Sequence, residues 1–157
     1  MIRPAFLDAA ASAAALLREP ILAERWSTPS ALADFSTGGL ARHLAYQVTQ
    51  TVTFLDAAPG QSAISVLDHF AGNSWVTSGV DSADNIGIRR RSELAAASTT
   101  AADLADAVDA ALTELRAVVP AQPLDRIVDL AAWRHGSLDV IRALARQERA
   151  PTSIAAL

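Results

Sequence analysis

The chain has 157 residues, a net charge of −4, a hydrophobic fraction of 51% and no cysteine. The missing cysteine excludes disulfides, zinc–thiolate sites and cysteine nucleophiles, so any thiol chemistry needs a thiol brought in by a cofactor. All 13 basic residues are arginine, and the acidic balance argues against a general nucleic-acid binder, which needs a basic face.

The length suits one domain spanning 1–157. Alanine, the best helix former, is the largest contributor to the hydrophobic fraction. No apolar stretch reaches the roughly 20 residues of a membrane span. At the N-terminus, Arg3 and an alanine-rich stretch broken by Asp8 lack the apolar core of a secretion signal. The expectation is a cytoplasmic domain.

In chain order, Pro4 suits a first helical turn. Leu7, Ala10, Ala14, Leu17 and Ile21 then repeat at steps of three and four, and Pro20 should kink or end that helix. Trp26 to Ser30 has the chemistry of a turn. Ser36 or Thr37 caps a second helix with the stripe Leu40, Leu44, Val48, Val52 and Leu55, stopped by Pro59-Gly60. A third opens near Ser62 and runs through Ile64, Leu67, Ala71 and Trp75. A looser segment from Asp84 to Ala97 carries Arg89-Arg90-Arg91, expected on a solvated helix face rather than in an anion site. A fourth regular helix starts at Thr99 or Thr100, with Asp103 placed as the acid of a capping box. Its stripe is Leu104, Val108, Leu112, Leu115 and Val119, and Pro120 should close it. Leu124 to Trp133 reads as extended or helical. A last helix runs from about Ser137 to Arg149, ended by Pro151. Helical spacing without strand alternation predicts an all-α fold, an antiparallel four-helix bundle with a short extra helical segment.

Glu148 stands out on the last helix. Leu138, Ile141, Leu144 and Ala145 form its apolar stripe, and Glu148 falls in the middle of that stripe one turn further on. A carboxylate there is costly unless it is paired or coordinates a metal. The alternative is a frayed end that turns Glu148 to solvent or pairs it with an arginine. His43 lies at the edge of the second helix's stripe, either as a hydrogen-bonded histidine or as a metal ligand. His135 precedes Gly136. On one continuous helix it would lie about 20 Å from Glu148, too far to share an ion with it. His69 falls opposite the stripe of the third helix and reads as surface-facing. Gly38-Gly39 marks a helix start and no phosphate loop.

Phe6-Leu7-Asp8-Ala9-Ala10, Trp26 with Pro29-Ser30, Gly38-Gly39-Leu40 with His43-Leu44, and Leu67-Asp68-His69-Phe70 with Trp75-Val76 carry a resemblance. So does Ser137-Leu138-Asp139 leading to Glu148. Together they resemble the N-terminal domain of mycothiol-dependent maleylpyruvate isomerases, in the DinB-like group of metal-dependent thiol transferases, as in actinobacterial members. The likeness is specific in the first 80 residues and thins after about residue 120. It implies a four-helix bundle holding one divalent metal, zinc- or nickel-like, near one end. Its ligands would be a histidine on the second helix, a glutamate on the last, and a histidine four residues after that glutamate. His43 and Glu148 match the first two, while Thr152 stands at the third, after Pro151. A second register puts His135 in the histidine position and Ala131 in the acid position. Full-length isomerases of the family continue into a second domain, which the likeness does not reach.

The resemblance implies a low-molecular-weight thiol such as mycothiol as partner, and an isomerase or S-transferase reaction. Open metal positions would take the thiol and favour its thiolate. The competing expectation is a metal-free helical binding or dimerisation module, with Glu148 neutralised by an arginine such as Arg42 and a homodimer through one bundle face.

Overall fold

The computed structural model describes residues 2–60, 65–123 and 125–128. These form an all-α fold with seven helices. The order is α1 (Ile2–Leu17), α2 (Pro20–Glu24), α3 (Thr37–Asp56), α4 (Val66–Ala71), α5 (Ser74–Thr77), α6 (Ala83–Ala96) and α7 (Ala101–Ala121). An isolated bridge between Pro29 and Ser36 is the sole β-type pairing among them.

The core forms where α1, α3 and α7 meet. The sequence stripe of α7 holds at every position: Leu104, Val108, Leu112, Leu115 and Val119 are all buried, Val108 and Leu115 completely. Its start holds too. Thr100 accepts from the Asp103 N–H, and Asp103 accepts from the Thr100 N–H, a complete capping box. Pro120 lies inside α7 rather than closing it, and the helix ends one residue later at Ala121. A proline there forfeits one backbone bond in the last turn, where few remain.

α1 contributes Ala10, Ala13, Ala14 and Leu17 to the core. The first helix ends at Leu17, just ahead of Pro20 as expected, and Pro20 itself sits in the first turn of a new helix, α2, which needs no N–H at that position. The break re-aims the chain, so Ile21 leaves the α1 stripe and is exposed. In α3 the buried line is Ala41, Ala45 and Val48, with Leu44, Val52 and Leu55 packed partly against it. Small alanines take the closest approach, and the longer leucines of the expected stripe cover its flank.

The expected third helix is two short ones, α4 and α5, separated at Gly72-Asn73. Leu67 of its stripe is 81% exposed, so this stripe does not join the core among the described residues. Ser62 and Ile64 lie outside the described residues. α6 starts on the Ser82 cap and packs along α3. Arg126 donates to the Leu55 and Ala57 carbonyls at 2.7 and 2.9 Å, tying residues after α7 to the end of α3. The expected last helix, with Glu148, Pro151 and Thr152, lies outside the described residues, as does His135. No helix among the described residues is long and apolar enough to cross a membrane.

Candidate functional site

The site residues stand on the side of α3 that meets α6. Ser36 caps α3, its hydroxyl oxygen accepting from the Gly39 N–H at 2.9 Å. Glu93, from the last turn of α6, accepts from the Ser36 N–H at 2.7 Å and from the Ser36 hydroxyl at 2.9 Å. The carboxylate thus lies at the positive end of α3, where helix N–H groups favour a negative charge.

The glycine pair is what admits these neighbours. A Cβ at Gly39 would overlap the Glu93 carboxylate, and one at Gly38 would lie 2.6 Å from the Trp26 ring. Trp26 in turn donates its indole N–H to the Ala96 carbonyl at 3.2 Å. Gly38-Gly39, legible in sequence only as a helix start, is the seat on which α6 and the 26–36 loop dock.

His43 lies one turn beyond Gly39 and is half-buried, on the side of α3 away from its core line of Ala41, Ala45 and Val48. Its ring is tilted against buried Phe35, with centroids 6.0 Å apart. Burial, and then the nearby positive charge of Arg91, hold its pKa below the usual histidine range. The neutral imidazole, the form that ligates metals and accepts protons, is therefore favoured at neutral pH.

Arg42 and Tyr46 flank it, with the Arg42 guanidinium 5.7 Å from the Tyr46 ring centroid, in cation–π range. Burial raises the Tyr46 pKa against the opposing charges of Arg91 and Arg42, so its phenol stays protonated. Burial likewise lowers that of Arg42, with Tyr46 opposing the shift. Gln50, one turn further along α3, is buried, and its Nε2 has no hydrogen-bond partner among the described residues.

The arginine run does not lie on one solvated face as expected. The Arg89 side chain is only 14% exposed, 3.7 Å from both the Asp34 and Asp81 carboxylates, and donates to the Val80 carbonyl at 2.7 Å. Arg90 is exposed, and half-buried Arg91 acts on His43 and Tyr46. Three consecutive residues on a helix span about 200°, so two of them can be drawn inward while the third faces solvent. His69, expected to face the surface, is half-buried beside Phe70 at 5.3 Å between centroids.

Of the sequence-derived ligands, the structure places His43 alone; Glu148 and the alternative His135 fall outside the described residues. Among the described residues no three His, Asp or Glu side chains come together as a metal-holding group. Sequence reasoning missed Tyr46, Gln50 and Glu93, and assigned Arg91 to a solvated face. A pair of glycines opening a helix was the one signal pointing to a close neighbour such as Glu93. Comparison with known proteins finds no matching family model, curated protein or solved structure.

Proposed function

We propose that the chain is a DinB-like antiparallel four-helix bundle that binds one divalent metal, zinc- or nickel-like, through His43 and Glu148. It would act in the cytoplasm on a low-molecular-weight thiol such as mycothiol, in an isomerase or S-transferase reaction. The observation that carries the reading is His43. It sits early on the second long helix, where the family resemblance expects the first ligand, and its imidazole is held neutral and braced by Phe35. Glu148 is carried over from the resemblance alone, and His135 is the histidine of the alternative register. When bound, the metal would supply Lewis acidity and favour the thiolate of an incoming thiol. The chain's own part would be positional: Phe35 and the α3 backbone fix the ring, and Arg91 discourages its protonation.

Metal binding by protein purified without a histidine tag tests this. Zinc or nickel should bind and raise the melting temperature, and His43→Ala should abolish both effects. If neither metal binds, the reading falls; if binding survives His43→Ala unchanged, the ligand assignment falls.

The half-buried guanidinium of Arg42 favours a second reading, a metal-free helical binding or dimerisation module in which Glu148 neutralises Arg42. Glu148→Gln separates the two. In the metal site it lowers metal affinity and leaves the metal-free protein nearly as stable. In the paired site it strands a buried charge and costs about 3–5 kcal/mol.

A further inference from the structure

His43, Tyr46 and Gln50 follow at steps of three and four and share one face of α3. That face lies roughly opposite the line of Ala41 and Val48 that enters the core, because seven residues return a helix almost to the same direction. α6 runs past it, with Glu93 at Gly39 and the charge of Arg91 felt by both His43 and Tyr46. Arg42 reaches the same phenol from α3 itself. Two guanidinium groups from two helices therefore act on one tyrosine.

The polar groups gathered here are mostly donors. A guanidinium can only donate, and so can the Nε2 amide of Gln50, which is buried without a partner among the described residues. Arg18 and Arg89 each meet two carboxylates, whereas neither Arg42 nor Arg91 has one within ion-pair distance among the described residues. Among the described residues, two half-buried positive charges thus stand without a carboxylate partner, on the same side of α3 as a buried donor without one. What the cluster lacks among the described residues is a negatively charged acceptor.

We propose that the α3–α6 face formed by Arg42, Tyr46, Gln50 and Arg91 is a recognition site for the oxyanion group, carboxylate or phosphate, of a small ligand. The two arginines supply charge and forked hydrogen bonds, and the phenol and amide fix orientation. The site needs no metal and goes beyond the metal reading, so the two can be tested apart.

The test uses the full chain stripped of metal with EDTA, at low ionic strength. Inorganic phosphate and succinate are titrated separately, followed by calorimetry and by the side-chain amide resonances of Gln50. At least one anion should bind saturably and shift those resonances. Arg42→Gln and Arg91→Gln should each weaken binding about tenfold or more, while Arg18→Gln leaves it unchanged. Saturation by phosphate alone assigns a phosphate-bearing ligand, and saturation by succinate alone a carboxylate-bearing one. Absence of saturable binding by either anion overturns the proposal, as does full affinity in both arginine variants. The wild-type Gln50 resonances give a readout independent of whether the variants fold. If an anion binds while they stay still, the site is elsewhere and the proposal fails.

Discussion

α3 is flanked by two helices, and the two contacts are built on different principles. Towards α7 the contact is dry and periodic, with Ala41, Ala45 and Val48 against Leu104, Val108, Leu112 and Leu115. Towards α6 it is made of individual fits: a carboxylate over Gly39, an indole over Gly38, and guanidinium groups around a histidine and a tyrosine. The first contact tolerates exchange among apolar side chains of similar size, because burial is non-directional. The second depends on particular atoms in particular places. A helix can thus be anchored through one side and gather polar groups on the other.

The largest expected effect falls on the apolar side. Leu115→Ala removes a fully buried side chain and should cost about 3–5 kcal/mol in a urea or guanidinium titration. A loss below about 1 kcal/mol would show that α7 is not the anchor.

Next comes the glycine pair. Gly38→Ala drives a methyl group into the Trp26 ring and should cost about 1–3 kcal/mol, although alanine is the better helix former. Gly39→Ala should cost less, since the flexible Glu93 side chain can swing aside, but it gives up the bonds to Ser36. Equal tolerance of both substitutions would mean that α6 does not seat on this turn.

The smallest effect is a pH dependence. The folded pKa of His43 lies below its ordinary value of 6.5. Between the folded value and 6.5 the unfolded chain therefore binds the proton more readily, and stability must fall as pH falls through that window. In metal-free protein, His43→Gln should flatten the stability profile there. An unchanged profile would place the titration on another group.

The apolar contact was legible in the sequence. The stripe of α7, the Ser36 cap and the capping box of Thr100 with Asp103 each follow from local spacing, and each stands as expected. The stripe of α3 was legible only in part, because pattern weighs leucine above alanine while close helix approach selects alanine. The α4 stripe failed for a related reason. Leu67 had apolar company in sequence but is 81% exposed and joins no core among the described residues. Of the candidate site, His43 could be read from its position at the stripe edge. Glu93 and Arg91 meet α3 across about 50 residues of chain, and no local rule encodes that encounter. Gln50 carried no signal because an exposed and a buried glutamine look the same in sequence.

The seat of Trp26 has an optical consequence. Its indole is held on Gly38, bonded to the end of α6 through Ala96 and packed at the edge of the core, so its emission reports the junction where α6 meets the start of α3. In a background where Trp75 and Trp133 are phenylalanine, the remaining tryptophan becomes a built-in fluorophore for the polar side of α3. Helical circular dichroism follows all the helices together. If the two signals move together on heating, the α6 layer and the core melt as one cooperative unit; if the fluorescence moves first, the layer carrying the arginines opens while the core still stands.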